Sequence, residues 1–205
     1  YGNQKWVSDG SISGTSGEGK RLEAISIKVN NAQLNNISGG IAYATHVQTY
    51  GWSQGWKYNG QMSGTSGLAK RLEGINIKLT NQTYSGSIVY TTHVQSYGWQ
   101  GNENDPNTWK RNGVMSGTSG EAKRLEAIRI ALTGEMAEHY DVYYRVHAQS
   151  FGWLGWAKNG EAAGTAGLAK RLEGIQIVLV PKGSAAPANN YKNIQSVNTK
   201  AYIKK

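Results

Sequence analysis

The chain has 205 residues, of which 38% are hydrophobic and 17% charged, and its formal net charge is +9. It contains 27 Gly, 12 Tyr and 7 Trp but a single Phe. This composition excludes a long coiled coil, and the aromatic content is too high for a chain that is disordered throughout. No apolar run approaches the roughly 18 residues of a membrane-spanning helix, so we expect no membrane insertion.

Cysteine is absent, which excludes disulfides, thiolate metal sites and cysteine nucleophiles. Because the chain begins at Tyr1 rather than Met, we expect a processed or excised segment from which targeting information has been removed. Five lysines lie after Pro181, where there are no acids, and the rest of the chain carries a net charge of only +4. Much of the positive charge therefore belongs to the tail.

Internal self-similarity dominates the sequence. Gly-Thr-Ser-Gly begins at Gly14, Gly64 and Gly117, and Gly-Thr-Ala-Gly begins at Gly164. Each copy is followed by Lys-Arg-Leu-Glu, and the copies lie 50, 53 and 47 residues apart. This period indicates a tandem-repeat protein. We divide the chain into a partial first repeat and complete second, third and fourth repeats, at residues 1–29, 41–80, 88–133 and 142–180.

Each complete repeat opens with a segment that alternates between two faces, as a β-strand does. In the second repeat one face carries Tyr43, Thr45 and Val47, and the opposite face carries His46, Gln48, Tyr50 and Trp52. An Asn-Gly pair follows at 59, and again at 112 and 159 in the later repeats. This dipeptide favours the positive φ angles of a tight turn. We therefore expect the chain to reverse there.

The second half of each repeat begins with the glycine-rich motif, which we expect to be a loop because glycine adopts unusual backbone angles. The last segment again has period two, and in the second repeat it places Arg71, Glu73, Ile75, Ile77 and Leu79 on one face. The sequence thus predicts an all-β fold with roughly three antiparallel strands per repeat.

The arrangement of the repeats is open at this stage. They could close into a pseudo-symmetric ring, propeller-like or prism-like, or stack in tandem. Residues 181–190 have the composition of a linker, and residues 191–205 resemble a degraded opening strand. One interpretation is that this tail strand pairs with the partial first repeat and closes the ring, which would remove exposed sheet edges. The alternatives are that the tail begins a further module or is disordered.

The combination of His-Val-Gln-x-Tyr-Gly-Trp, Asn-Gly, Gly-Thr-Ser-Gly and Arg-Leu-Glu-Ala/Gly-Ile-x-Ile resembles the ChW repeat, the clostridial hydrophobic repeat with a conserved tryptophan. The resemblance covers roughly residues 1–180. It implies a secreted or cell-surface location in Gram-positive bacteria and a role in attachment to glycans, cell wall or protein partners. The first repeat departs from the pattern, because Asn3 stands where the later repeats have Trp.

The aromatic and polar stripe of each opening segment is the candidate ligand site, because it combines flat aromatic faces with hydrogen-bonding groups. The alternative is that its His and Trp side chains pack between repeats. A second tryptophan set (Trp6, Trp56, Trp109 and Trp156) is expected to pack in the core. The candidate ligand-binding residues are Trp52, Trp99, Trp153, His46, His93, His147, Gln48, Gln95, Gln149, Tyr50 and Tyr97.

Arg and Glu recur two residues apart in the last strand of every repeat. A sugar or anion clamp is one interpretation, but we favour structural ion pairs, because charges near apolar neighbours persist when they are paired. The predicted pairs are Arg21–Glu23, Arg71–Glu73, Arg124–Glu126 and Arg171–Glu173.

The sequence offers no asymmetric constellation of acid, base and nucleophile, so we predict no catalytic residues and no enzyme activity. The three repeated histidines lie in separate repeats without a carboxylate on their own strand, and we predict neither a metal nor a cofactor. Basic residues alternate with acids rather than forming a stripe, which argues against nucleic-acid binding. We expect a non-catalytic surface module that binds carbohydrate or a cell-wall polymer; the alternative is a protein-interaction or spacer module.

Overall fold

The computed structural model describes residues 40–205 together with Glu18 and Gly19. Contacts divide the chain into two units, residues 1–34 and 35–205, and the three complete repeats belong to the second unit. The predictions for the partial first repeat, including Trp6 and the Arg21–Glu23 pair, lie outside the described residues.

Each complete repeat is built on an antiparallel hairpin of two long strands. Short strands lie between the two long ones in the sequence, so each repeat has more than the three strands expected. The prediction of an all-β fold is confirmed. The long strands are β1 (Gly40–Val47) with β4 (Leu72–Thr80), β5 (Ser87–Val94) with β9 (Leu125–Thr133), and β10 (Tyr140–Ala148) with β14 (Leu172–Pro181).

The remaining elements are short. The described part includes one helix, α1 (Glu135–His139), and 3-10 turns at Pro106–Thr108 and Tyr191–Asn193. The short strands are β2 (Lys57–Tyr58), β3 (Ser63–Gly64), β6 (Gly98–Trp99), β7 (Lys110–Arg111), β8 (Ser116–Gly117), β11 (Gly152–Trp153), β12 (Ala157–Lys158), β13 (Ala163–Ala166) and β15 (Tyr202–Lys204).

The predicted alternation sets the inner face of each hairpin. In the second repeat Tyr43, Val47, Ile75 and Ile77 are buried in a hydrophobic core that includes side chains of all three complete repeats. Burying such side chains away from water is the main stabilising contribution, about 1.5 to 3 kcal/mol for each large aliphatic side chain. The opposite, outer face carries Ala42 and Ala44. Their cross-strand partners Lys78 and Asn76 lie on the same side of the sheet.

The glycine-rich motifs connect the repeats by exchanging short strands. The motif of the second repeat forms β3, which pairs with β14 of the fourth repeat. Likewise β8 of the third repeat pairs with β4 of the second, and β13 of the fourth pairs with β9 of the third. The exchange passes from second to fourth to third repeat and returns to the second. This exchange is cyclic, whereas in a tandem stack each repeat would contact only its chain neighbours.

Glycine is required where the exchanged strand meets its partner. Gly64 has a φ of 100°, and a Cβ at this position would collide with the carbonyl oxygen of Glu173. Gly117 and Gly164 approach the carbonyl oxygens of Glu73 and Glu126 in the same way. The motif was expected to be a loop because of its glycines; the structure shows that the glycines also permit close backbone approach between repeats.

A buried tyrosine stabilises each junction of the cycle. The hydroxyl of Tyr90 donates to the carbonyl of Val114 at 2.5 Å and accepts a hydrogen bond from the backbone N–H of Ile77, in the second repeat, at 3.0 Å. Burial raises the pKa of Tyr90 to about 12. Tyr43 and Tyr144 make the equivalent junctions to Ile177 and Ile130. Each junction therefore satisfies a buried hydroxyl and a buried amide together.

The tail packs on the fourth repeat. Strand β15 pairs in parallel with β13, and the backbone N–H of Gly164 donates to the carbonyl of Ala201 at 2.9 Å. The partial first repeat, with which the tail was expected to pair, lies outside the described residues. In the described part, the tail's strand therefore completes the edge of the sheet that contains β13.

Candidate ligand-binding surfaces

A bulge in each hairpin positions the repeated glutamate. In the β1–β4 ladder His46 pairs with Gly74 and Val47 pairs with Leu72, so Glu73 is an extra residue. The bulge turns Leu72 into the core and brings the Glu73 side chain to the His46 side. The sequence had placed Glu73 on the face of Ile75, because strict alternation takes no account of a bulge.

The predicted Arg–Glu pairs are present in the three complete repeats, and each includes a histidine. Arg71 Nε lies 2.7 Å from Glu73 Oε1, and His46 Nδ1 lies 3.0 Å from Glu73 Oε2. Glu73 is only 4% exposed. His46 Nδ1 therefore lies beside the carboxylate without an aligned hydrogen bond to it. The same clusters are Arg124–Glu126–His93 and Arg171–Glu173–His147.

Each histidine also contacts the tryptophan of its own repeat. The rings of His46 and Trp52 are in edge-to-face contact, with centroids 5.4 Å apart. His93–Trp99 and His147–Trp153 repeat this arrangement at 5.6 Å. Burial lowers the pKa of His147, although the Glu173 carboxylate opposes that shift. Each histidine therefore lies between the Arg–Glu pair and the tryptophan of its own repeat.

The predicted stripe does not form a single continuous strand. In the second repeat β1 ends at Val47, and the chain turns at residues 48–50 before Trp52 returns beside the hairpin. Thr49 has a positive φ of 75°, and the N–H of Gly51 donates to the carbonyl of Val47 at 2.7 Å. Tyr50 is exposed in this turn, and Tyr97 is its exposed counterpart in the third repeat. These tyrosines are therefore separated from the outer face.

The backbone of each glutamine in the stripe takes part in the framework. The backbone N–H groups of Gln48, Gln95 and Gln149 donate to the carbonyls of Arg71, Arg124 and Arg171. The Gln48 side chain also accepts a long hydrogen bond, 3.5 Å, from the Arg71 N–H. These hydrogen bonds connect the turn after the opening strand to the start of the last strand of the same repeat.

The outer face of the fourth repeat is covered by the tail. Arg145 is fully buried there, with its guanidinium 4.6 Å from the Trp156 ring and 5.5 Å from the Trp153 ring. It donates to Gln176 Oε1 and to the tail, where the acceptors are the carbonyls of Asn189, Tyr191 and Ile194 and the hydroxyl of Ser196. Burial lowers its pKa to about 10, so the guanidinium remains charged at neutral pH.

This cover buries Trp153, which is only 6% exposed. The sequence expectation of equivalent aromatic sites in the three complete repeats therefore does not hold for the fourth repeat. No sequence motif indicates that the tail covers this face. The one difference in sequence that does is Arg145, which stands where the other complete repeats have Ala44 and Thr91.

The outer face of the third repeat is covered by its own insertion, residues 100–108. Trp109 is 5% exposed and donates from Nε1 to the carbonyl of Asn102 at 2.8 Å. Arg129 lies 5.3 Å from the Trp99 ring, and Glu103 of the insertion is 3.3 Å from its guanidinium. The Arg129 side chain beside Trp99 is therefore held by an ion pair within the chain.

The second repeat has an accessible outer face, which we call the second-repeat platform and define by Trp52, Trp56, Tyr58, Asn76 and Lys78. Trp56 is 36% and Tyr58 is 48% exposed, while Trp52 is half-buried. The expectation that the second tryptophan set packs in the core therefore holds for Trp109 but not for Trp56. The Lys78 ammonium lies 4.3 Å from the Trp56 ring.

The edge of the exchanged strand is closed by a glutamine side chain in the second and third repeats and by the tail in the fourth. In the second repeat the Gln54 amide donates to the carbonyl of Gly64 and accepts from its N–H, at 3.0 and 2.8 Å. Gln100 does the same for Gly117 in the third repeat. In the fourth repeat Leu154 stands at this position, buried, and the tail strand pairs with the edge instead.

No helix among the described residues is long and apolar enough to cross a membrane. Nor does this part of the chain contain a group of three or more His, Asp or Glu side chains that could hold a metal ion.

A cyclic set of three β-hairpins, each with an Arg–Glu–His cluster beside a tryptophan, defines an all-β tandem-repeat module. The family model ChW, described as Clostridial hydrophobic W, matches residues 1–31, 46–81, 93–134 and 147–181. The chain belongs to this family. No curated protein and no solved structure matches it.

Proposed function

We propose that this chain is a non-catalytic attachment module that acts outside the cell, at a Gram-positive surface, and binds carbohydrate or a cell-wall polymer. The observation that carries the proposal is the accessible pair of Trp56 and Tyr58 on the outer face of the second repeat. Both side chains combine an apolar ring with a polar group, which suits a ligand that has apolar faces and many hydroxyl groups.

The paired carboxylates support a non-catalytic role. Hydrolysis of a glycosidic bond typically needs two facing carboxyl groups. Each cluster in the complete repeats has one carboxylate, and in the second repeat both oxygens of Glu73 are held, one by Arg71 and the other by His46. A carboxylate held in this way is suited to stabilising the fold.

The test is binding of the chain to purified Gram-positive cell walls and to a glycan array, at low and high salt. We expect binding to survive high salt, because stacking on aromatic rings is screened less than contacts between exposed charges. Trp56→Ala should weaken binding by about tenfold or more, as expected for an aromatic anchor. Tyr97→Ala removes an exposed aromatic side chain of the third repeat and should leave binding unchanged.

Protein interaction is the second candidate function. The fourth repeat already holds an extended peptide segment, its own tail, through the β13–β15 backbone pairing and through Arg145, whose guanidinium donates to tail carbonyls. If the chain binds neither walls nor glycans at either salt concentration, this alternative is favoured. Binding that disappears with salt alone would instead indicate contacts made by charge, including those with nucleic acid.

A further inference from the structure

We propose that the second-repeat platform binds an anionic glycan at one site per chain. A sugar ring would stack on Trp56, a hydroxyl group would donate to Asn76, and a phosphate or carboxylate on the sugar would pair with Lys78. This inference rests on the proposed function and assigns it a site and a ligand class.

The first argument is the comparison of equivalent outer faces within the chain. The third and fourth repeats each place their own guanidinium against a tryptophan, from Arg129 and from Arg145. The second repeat has Asn76 and Ala44 at those two positions. Short side chains there, with no insertion like residues 100–108, leave Trp56 and Tyr58 accessible to an external ligand.

The second argument is an unsatisfied acceptor on the platform. Asn76 Oδ1 is buried and has no hydrogen-bond partner. Its counterpart in the fourth repeat, Gln176 Oε1, accepts a hydrogen bond of 2.8 Å from Arg145 Nε. Leaving a buried acceptor without a donor costs free energy, and a ligand hydroxyl group would supply the missing donor.

The third argument is charge. Lys78 stands where the third and fourth repeats have Ala131 and Val178, so its cation is particular to the second repeat. Between residues 40 and 102 Glu73 is the single acid, and it is buried in its ion pair. An anionic ligand on the platform would therefore meet an ammonium group and no exposed carboxylate of this segment. Lysine is well suited to bind phosphate or carboxylate as a point charge.

The closed strand edge argues for a glycan rather than a peptide strand. An added strand would need the N–H and carbonyl of Gly64, and the Gln54 side chain already occupies both. The fourth repeat accepts a strand at this position because Leu154 leaves the edge free for the tail. The second repeat thus offers a flat outer face and not an open strand edge.

The experiment is calorimetric titration of the full chain with three probes at low salt. The probes are oligogalacturonate, which carries carboxylates, a soluble glycerol-phosphate wall polymer, and neutral chito-oligosaccharide. We expect one site per chain and an affinity for at least one acidic probe roughly three- to tenfold above that for the neutral probe. The stronger acidic probe identifies whether carboxylate or phosphate is the preferred group.

Three platform variants and one control variant test which side chains contribute to the affinity. Trp56→Ala should lower the affinity for every probe that binds, and Lys78→Gln should remove the preference for the acidic probe. Asn76→Leu should weaken binding while the melting temperature stays the same or rises, because it removes an unsatisfied buried acceptor. Lys123→Gln, at a half-buried lysine 5.5 Å from the Tyr97 ring in the third repeat, should change nothing.

The outcomes separate this inference from the proposed function. Equal affinity for neutral and acidic probes, with no effect of Lys78→Gln, would overturn the anionic class and leave carbohydrate binding in place. Two or more equal sites per chain, or full binding by Trp56→Ala, would overturn the assignment to the platform. Absence of binding to all three probes and to whole walls would overturn the proposed function and this inference with it.

Discussion

The second and fourth repeats share one framework and differ on its outer face. Both have the same hairpin, and in both the glutamate lies between an arginine at 2.7 Å and a histidine at 3.0 to 3.1 Å. The fourth repeat has the buried Arg145 and the tail over its tryptophans, whereas the second repeat has Ala44 and an accessible Trp56.

The difference separates the residues that form the fold from those that control access. The repeated motifs supply the hairpin, the ion pairs and the strand exchange, and these are alike in both repeats. Access to the tryptophans depends on unrepeated positions such as 44 and 145, and on segments outside the motifs. Sequence identity between repeats therefore does not imply that each one binds a ligand.

The sharpest test of this comparison is to remove one tryptophan from each repeat. Trp153→Ala should destabilise the fold by roughly 3 to 5 kcal/mol, because a large buried side chain is replaced by a cavity. Trp56→Ala should lower the free energy of unfolding much less, because this side chain is 36% exposed and its removal leaves no enclosed cavity. Urea denaturation followed by circular dichroism measures both. Equal losses in the two variants would show that the outer faces are not different.

A second test concerns Arg145. Arg145→Ala should cost roughly 3 to 5 kcal/mol, because tail carbonyls and Gln176 would lose their charged donor in a buried site. Arg129→Ala in the third repeat is the matched control and should cost less, since Arg129 is partly exposed and pairs with a more exposed Glu103. Limited proteolysis of the tail should accelerate in Arg145→Ala. A tail that stays protected would contradict the role given to this guanidinium.

A third test addresses what the two repeats share. Glu73→Ala should destabilise the fold by roughly 2 to 4 kcal/mol, because Arg71 and His46 lose a buried partner. Glycan or wall binding by the folded variant should be unaffected. Glu121→Ala, which removes an exposed acid, is the control and should have little effect on stability. Unchanged stability together with lost binding would favour the clamp interpretation over a structural ion pair.

The smallest expected effect is a pH dependence from His147. Burial lowers its pKa below the ordinary value of 6.5, with Glu173 opposing. Between the lowered and ordinary values the unfolded chain binds a proton more readily than the folded one, so stability falls on acidification through roughly pH 6.5. His147→Gln should flatten this part of the stability profile, measured by thermal unfolding at a series of pH values. An unchanged slope would contradict it.

The strands were predictable because apolar side chains repeat with period two. Ile75 and Ile77 mark the inner face of β4, and Asn59 and Gly60 both have the positive φ expected of a tight turn. The bulge at Glu73 was not predictable, because one extra residue in a ladder leaves no mark in composition. The strand exchange was not predictable either, because the glycines of the motif are equally suited to a loop.

The site was less predictable than the fold. The cover on the fourth repeat uses main-chain carbonyls of Asn189, Tyr191 and Ile194, and any residue can supply such an acceptor. The importance of Asn76 depends on a missing partner, which a sequence does not display. Trp52, Trp99 and Trp153 are nearly identical in sequence context, and they differ in what lies over them.

The cyclic exchange of short strands also determines how the chain reaches its native state. Strand β3 pairs with β14, so the edge of the fourth repeat's sheet is completed by a short strand of the second repeat, which lies far earlier in the chain. Such distant pairing slows folding, because a long loop must close before the contact is gained. A solenoid tolerates the loss or gain of a whole repeat, since each unit contacts only its neighbours. Here, deletion of any one complete repeat would leave two exchange partners unpaired, so we expect the three complete repeats to unfold together.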